Sequence, residues 1–131
     1  MTLLADTHVW YRWRAEPKKL SRVHARALAR AEQRRESVAV SAISLWELAM
    51  LAASGRIQVR LALEPWISEM ADDLFISVLS LTPEIAAKSV GLAGLPRDPA
   101  DRLIAATALC HGLTLLTSDE RIIAWGGVPV R

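Results

Sequence analysis

Short apolar runs alternate along the chain with longer segments of helical periodicity, and this alternation limits the fold more than any other feature. Five runs have the length and composition of buried strands: 2–5, 38–40, 75–81, 113–116 and 128–130. Strands that alternate with helices favour a mostly parallel sheet covered by helices on both faces. The sequence therefore predicts an α/β fold with a central sheet of about five strands.

Helical segments fill the intervals between these strands. Ser21 is predicted to cap a helix that runs to about residue 36, with Val23, Ala27, Leu28 and Ala31 on its apolar side. The other helical segments are 7–14, 41–54, the stretch from residue 63, the stretch after residue 82, the stretch from residue 98 and a turn after residue 119. Within the stretch from residue 98, residues 103–109 are apolar nearly all round, which predicts a central, buried helix.

Four acidic residues stand just past an apolar run or in the opening turn of a predicted helix: Asp6, Glu47, Asp101 and Asp119. In open parallel sheets, ligands bind outside the carboxyl ends of the strands, and these are the positions that meet there. Clustered carboxylates repel one another and either gain protons or take up a cation. Mg²⁺ and Mn²⁺ prefer such oxygen ligands, so the pattern predicts a metal site suited to phosphodiester hydrolysis.

Helix capping offers a competing explanation for three of these acids. The sequence Ser-Leu-Trp-Glu that ends at Glu47 fits a capping box. Asp98 is a candidate cap with Asp101 in the first turn after it, and Asp119 is a reasonable start of a helix. Asp6 has no strong alternative of this kind, because a charge at the end of a central strand is costly unless it is paired or bound to metal. The coincidence of all four positions favours the metal site.

Length and composition exclude several classes of protein. A chain of 131 residues predicts one domain, spanning 1–131. No stretch approaches the roughly 18 apolar residues of a membrane span, and the N-terminus does not resemble a signal peptide. The single cysteine, Cys110, excludes an intrachain disulfide framework, so a reducing cytoplasm is the expected compartment.

Basic residues are concentrated in one part of the chain. The net charge is only +2, yet nine of the 16 Lys and Arg residues lie between positions 12 and 35. Arg22, Arg26, Arg30 and Arg34 recur every four residues and would form one stripe on a helix, which suits either a polyanion such as RNA or plain exposure to solvent. Among the tryptophans, Trp10, Trp46 and Trp66 are predicted to be mostly core, and Trp13 and Trp125 are the candidates for exposed contacts with RNA or a partner.

Four motifs resemble those of the PIN-domain ribonucleases, in particular the VapC toxins of bacterial toxin–antitoxin pairs. The motifs are Leu-Ala-Asp-Thr-His-Val-Trp around Asp6, Val-Ser-Ala-Ile-Ser-Leu-Trp-Glu ending at Glu47, Arg-Asp-Pro-Ala-Asp-Arg-Leu-Ile-Ala-Ala around Asp101, and Leu-Leu-Thr-Ser-Asp ending at Asp119. They occur in the right order and at the right spacing, and together they extend over the whole chain.

The resemblance implies a three-layer α/β/α fold, one or two Mg²⁺ or Mn²⁺ ions, and endonucleolytic cleavage of RNA. It assigns the family's acidic quartet to Asp6, Glu47, Asp101 and Asp119, with Asp101 chosen because it directly precedes the Arg-Leu-Ile-Ala-Ala helix. Neighbouring residues are expected to support the quartet: Thr7, Asp98, Thr117 and Ser118. It also implies a cognate antitoxin whose C-terminal segment covers the site, and a homodimer formed through an apolar helical face.

Other readings of the same residues remain open. A phosphatase that uses an Asp nucleophile after the first strand usually has Asp-x-Asp, whereas position 8 here is His8. That histidine is expected to make a structural hydrogen bond more readily than to serve the site. Cys110 is a weak candidate nucleophile, because no separate orienting group is evident. A module that binds RNA or a peptide on the same fold without turnover is a third reading.

Overall fold

A parallel sheet of four strands forms the centre of the molecule. The computed structural model describes residues 1–131, with the strands in the order β3-β2-β1-β4: β1 is Leu3–Ala5, β2 is Val38–Ser41, β3 is Ile76–Leu79 and β4 is Thr114–Leu116. Every neighbouring pair is parallel, and Leu4 of β1 lies opposite both Ala39 and Leu115. All four strands therefore end at one edge of the sheet, the carboxyl edge, and begin at the opposite one, the amino edge.

Helices cover the sheet on both faces. Their bounds are α1 Thr7–Ala15, α2 Arg22–Gln33, α3 Ala42–Ala53, α4 Leu63–Ala71, α5 Pro83–Val90, α6 Pro99–His111 and α7 Glu120–Trp125, with a short 3₁₀ turn at Pro17–Lys19. Successive strand residues point to opposite faces, so Leu3 packs with α1 and α2 whereas Leu4 packs with α6 and α7. The predicted three-layer α/β/α arrangement is confirmed.

The sheet has four strands, whereas about five were predicted. Residues 128–130 do lie beside β4, but they form only an isolated bridge between Val130 and Leu115. Pro129 accepts a hydrogen bond from the N–H of Leu115 at 2.8 Å, and it has no N–H of its own to donate. This short segment extends the edge of the sheet without becoming a full strand.

Helix α2 differs in two details from its prediction. It ends at Gln33, three residues earlier than expected, and Arg35 then takes a left-handed backbone with φ of 54°. Val23 was assigned to the apolar side, but its side chain is 56% exposed, and His24 is buried in its place. His24 Nε2 lies 2.7 Å from the carbonyl oxygen of Arg131, so a hydrogen bond compensates for burying the ring.

The tryptophans also divide differently from the prediction. Trp10 is fully buried as expected, but Trp46 is 54% exposed and the expectation of a core position is wrong. Trp13 is buried, with the Arg14 guanidinium 3.8 Å above its ring, so it offers no open face for an RNA base. Residue type and helical spacing could not separate these cases, because the neighbouring helices decide which face is covered.

None of the helices has the combination of length and apolar character that a membrane-spanning segment needs.

Candidate functional site

A cleft of about 270 Å³ opens at the carboxyl edge of the sheet. Asp6 follows β1 and Asp119 follows β4, while Glu47 comes from α3 and Asp101 from the first turn of α6. These four acids, which are far apart in the chain, line the cleft together with Thr7, His8, Arg12, Asp98, Ser118 and Arg121. The topology thus brings all four predicted quartet residues to one place.

Asp6 is held at the floor of the cleft by the start of α1. Its side chain is the cap of that helix and accepts a hydrogen bond from the N–H of Val9 at 2.8 Å. Its own N–H donates to the carbonyl of Leu116 in β4 at 3.0 Å. Burial raises the pKa of Asp6, while the Thr117 hydroxyl and the Val9 N–H oppose that rise. Asp6 therefore has the capping role that the sequence did not indicate, alongside its position in the cleft.

Glu47 is oriented by two buried hydroxyl groups. The Thr7 hydroxyl donates to Glu47 Oε1 at 2.5 Å, and the Ser44 hydroxyl lies 2.8 Å from that of Thr7. The capping box considered for Glu47 does not form, because the cap of α3 is Ser41, three residues earlier than Ser44. Burial is the main cause that raises the pKa of Glu47, and the charges of Asp98 and Asp6 add to it.

Asp101 has a pKa far above the ordinary value of an aspartate. Burial, and after it the negative charges of Asp98, Asp119 and Glu47, raise its pKa from 3.8 to about 7, against the opposing effect of Arg121. Asp98 itself is the cap of α6 and accepts hydrogen bonds from the N–H groups of Ala100 and Asp101. The two aspartates thus divide their roles, since one caps the helix and the other faces the remaining acids.

Arg121 links two of the acids. Its Nη2 lies 3.2 Å from Asp119 Oδ2 and 3.4 Å from Asp101 Oδ2. Asp119 caps α7 by accepting from the N–H of Arg121, and the Thr117 hydroxyl accepts from the N–H of Asp119 at 3.1 Å. The hydrogen bond and charge of Arg121 lower the pKa of Asp119 below its ordinary value. A cation is therefore already favourable between these two carboxylates.

The donor set of the cleft fits a hard divalent cation in its chemistry. Carboxylate oxygens from Asp6, Glu47, Asp101 and Asp119 face a shared space, and their mutual repulsion would be relieved by a positive charge. As the side chains stand, no three His, Cys, Asp or Glu residues are arranged to hold an ion. The acids are instead held by Thr7, by backbone N–H groups and by Arg121. Ion binding would therefore require rotation of the side chains and displacement of Arg121.

Three residues of the cleft were not assigned to it from the sequence. Arg121 lies two residues after Asp119 in the first turn of a helix, and this short spacing was the signal that could have placed it at the cleft. His8 was expected to make a structural hydrogen bond more readily than to serve the site, but its side chain is exposed and lines the cleft. Arg12 lies one helical turn after His8 on the same side of α1, where helical spacing was the signal.

The predicted basic stripe lies away from this cleft. Arg22, Arg26 and Arg30 are exposed on α2, and none of them lines the acidic cleft. Arg30 instead lines a second cleft of about 280 Å³. Thr2, which precedes β1, and Thr114, which begins β4, also line this cleft. The stripe therefore extends toward the amino edge of the sheet.

Comparison with known proteins gives one family and a consistent set of folds. The sequence profile of the PIN domain matches residues 3–127. The chain is 43% identical over 122 residues to ribonuclease VapC22 of Mycobacterium tuberculosis, an alignment that covers 92% of this chain and 89% of the relative.

Solved structures agree at the level of the fold. One is VapBC2 from Rickettsia felis bound to a promoter DNA fragment, with a TM-score of 0.72, 16% identity, and coverage of 100% of this chain and 98% of that chain. Another is a toxin–antitoxin complex from Klebsiella pneumoniae, with a TM-score of 0.67, 24% identity, and coverage of 99% and 96%. Both chains share the architecture described above.

Proposed function

The chain belongs to the PIN domain family, and from that premise we propose that it is a metal-dependent endoribonuclease acting as the toxin of a toxin–antitoxin pair. The observation that carries this proposal is the convergence of Asp6, Glu47, Asp101 and Asp119 on one cleft. A relative that is 43% identical is named a ribonuclease, which supports RNA as the substrate. The unit that does this work is the single nuclease domain of residues 1–131.

We assign the metal-binding role to the four acids, with Mg²⁺ or Mn²⁺ as the ion. When bound, such an ion activates water and offsets negative charge on the attacked phosphate and the leaving oxygen. The protein supplies the position of each ligand. Thr7 fixes one oxygen of Glu47 by its hydrogen bond, and the N–H of Val9 fixes Asp6 at the end of β1. These contacts keep both carboxylates at the cleft in the absence of an ion.

The remaining residues near the quartet adjust charge and orientation. Thr117 accepts from the N–H of Asp119 and so holds the turn after β4. Asp98 adds negative charge next to Asp101 while it caps α6. Ser118 lines the same cleft and is placed to contact water or substrate there. Arg121 neutralises part of the acidic cluster and would turn toward the RNA phosphates when an ion replaces it.

The partner that fits this site is an antitoxin protein whose C-terminal segment covers the cleft. The contact of Arg121 with Asp101 and Asp119 supports this, because it illustrates how the acids receive a guanidinium group. Several proteins of the same fold were solved as toxin–antitoxin complexes. We further propose that the protein acts in the cytoplasm as a homodimer formed through an apolar helical face.

Cleavage of RNA by the purified protein tests the enzymatic part of this proposal. We expect cutting of a mixed cellular RNA pool with Mg²⁺ or Mn²⁺ and none with EDTA. The Asp101→Asn variant should cut at least roughly 100-fold more slowly, because a metal ligand loses its charge. Asp72→Asn is the matched control, since Asp72 is an exposed aspartate after α4 and distant from the cleft in the fold.

The outcomes separate the alternatives. Equal cutting by the wild type and the Asp101→Asn variant would point to a contaminating nuclease. RNA binding without cutting under any metal would favour a binding module on the same fold. Expression in cells tests the toxin role separately, because harmless expression of the active form without a partner would contradict it.

A further inference from the structure

Helix α3 exposes two large apolar side chains on one of its faces. Trp46 is 54% exposed and Met50 is 52% exposed, and residues four apart lie next to each other along a helix. Trp46 directly precedes Glu47 in the same turn of the helix, and consecutive side chains of a helix point about 100° apart. An exposed tryptophan beside an acidic cleft suggests a binding surface rather than a packing position.

These side chains form one wall of a groove of about 360 Å³. The other wall is built by Pro99 and Ala100 at the start of α6, and Arg56 is the only cationic residue among those that line it. Glu47 and Asp98 line both this groove and the acidic cleft, so the two spaces adjoin. We call this space the Trp46 groove.

We propose that the Trp46 groove binds a nucleobase of single-stranded RNA next to the phosphate held at the acidic cleft. This inference rests on the proposed nuclease function and deepens it by assigning a position for the substrate. The base stacks on the Trp46 indole, and the Arg56 guanidinium contacts a phosphate that flanks it.

The lining of the groove and its position beside the acidic cleft favour this occupant. A strand whose scissile phosphate lies at the acids must place its adjoining nucleotide within one nucleotide's length, and the groove opens there. The groove has an uncharged aromatic and aliphatic wall, which matches the face of a base, and Arg56 as its one cation, which suits a flanking phosphate; its two carboxylates, Glu47 and Asp98, are the ones that it shares with the acidic cleft. Bases of a duplex are stacked on their neighbours, so only a single strand can present a free face to Trp46.

Binding of two short RNA strands tests the proposal without depending on cleavage. The probes are a fluorescein-labelled oligoriboadenylate and an abasic ribose-phosphate strand of the same length, both measured by fluorescence anisotropy in EDTA. We expect the wild type to bind the adenylate strand more tightly than the abasic one. Trp46→Ala should weaken binding of the adenylate strand roughly 5- to 150-fold and leave the abasic strand unchanged. Trp46→Phe should restore most of the difference.

Leu74→Ala is the matched control, because Leu74 is 89% exposed and precedes β3, away from the groove. The proposal is overturned if Trp46→Ala binds the adenylate strand as the wild type does, if both strands weaken equally, or if the wild type binds neither. It is also overturned if Trp46→Ala changes the mass measured by sedimentation, since the surface would then join copies of the chain.

Cleavage measured with Mn²⁺ separates this inference from the proposed function. If both hold, Trp46→Ala raises KM and leaves kcat nearly unchanged. Base-dependent binding through Trp46 without any cutting would support the groove and contradict the nuclease. Cutting by both proteins with equal KM would support the nuclease and contradict the groove.

Discussion

The two edges of the parallel sheet carry clefts of similar size and opposite charge. The carboxyl-edge cleft, of about 270 Å³, is lined by five carboxylates. The amino-edge cleft, of about 280 Å³, is lined by Arg30, Arg34 and Arg131, and Glu36 is its only acidic side chain. Several helices of this fold begin at the carboxyl edge, where the helix dipole favours acidic residues near the N-termini. Helix α2 ends at the amino edge, where the dipole favours arginines near the C-terminus. The orientation of the helices therefore accounts for the acidic residues at one edge of the sheet and the basic residues at the other.

The charged groups at the two edges are also held differently. Asp6, Asp98 and Asp119 each accept hydrogen bonds from the backbone of the helix they cap, and Glu47 accepts from Thr7. Arg30 and Arg34 make no ion pair. The carboxylates repel one another and are held by specific hydrogen bonds, whereas the free arginines provide a diffuse positive surface. Substitutions should therefore have large effects at the first edge and small effects at the second.

The largest effect is expected from Asp6→Asn. Asparagine retains the cap of α1, because its side-chain oxygen also accepts from the N–H of Val9, but it removes the buried charge. We expect RNA cutting to fall at least roughly 100-fold while the melting temperature is unchanged or higher, since burial disfavours the Asp6 carboxylate. Cleavage rates and calorimetry measure the two effects on one sample.

A second capped helix provides the control for this prediction. Ser21 caps α2 by accepting from the N–H of His24 at 3.1 Å and does not line the acidic cleft. Ser21→Ala should cost about 1 kcal/mol of unfolding free energy and leave cutting unchanged. If Asp6→Asn lost stability but still cut RNA, Asp6 would be only a capping residue. The two edges would then not differ in the way proposed here.

The pH dependence of stability is expected to reflect Asp101. Its pKa is about 7 in the folded protein against 3.8 ordinarily, so between these values the folded state binds more protons than the unfolded state. The contribution of Asp101 to the stability of the metal-free protein should therefore decrease as pH rises from about 4 to about 7 and then level off. Asp101→Asn should make this decrease shallower without abolishing it, because the pKa values of Asp6 and Glu47 are also raised.

Melting temperatures in EDTA across this range measure the slope for both proteins, with Asp72→Asn as the control that should match the wild type. An equal slope in Asp101→Asn would mean that the acids do not interact as their positions indicate. Divalent ions must displace the same proton, so their apparent affinity should weaken by up to about tenfold for each pH unit below the pKa of Asp101.

Most of the fold could be predicted because local signals agree with the topology. Apolar runs predicted all four strands. The caps expected at Ser21 and Asp98, and the helix expected after residue 82, agree with the helix starts in the structure. The fifth strand failed because Pro129 has no N–H to contribute to a ladder. The surroundings of Trp13 and Trp46 could not be predicted, because burial depends on how neighbouring helices pack.

The position of the acids was predictable for a related reason. Residues that follow parallel strands must meet at the carboxyl edge, so Asp6 and Asp119 were expected to be neighbours, and both line one cleft. The contact of Arg121 with Asp101 could not be predicted, because it joins helices that are adjacent only in the folded state. The hydrogen bond of the Thr7 hydroxyl with Glu47 could not be predicted for the same reason.

Removing the one arginine that links the acids should strengthen metal binding. Arg121→Ala abolishes contacts with Asp101 and Asp119 that an incoming ion must break. Because the Arg121 side chain is 60% exposed, we expect a modest effect, roughly 3- to 10-fold tighter Mn²⁺ binding by calorimetry. Arg97→Ala removes the same charge next to Asp98 without removing a contact to the acids, and it should change the affinity less. Weaker Mn²⁺ binding in Arg121→Ala would mean that Arg121 supports the ion site instead of competing for it.

The smallest effect is expected at the basic edge. The double variant Arg26→Glu, Arg30→Glu reverses two charges on the exposed face of α2, away from the acids. We expect RNA affinity to fall roughly 2- to 5-fold at low salt, with a smaller difference at high salt, because screened charges attract RNA without positioning it. The value of kcat should be unchanged, since no residue of the acidic cleft is touched. A loss of affinity comparable to that of Trp46→Ala would instead place α2 on the path of the RNA, and the two edges would then belong to one continuous binding surface.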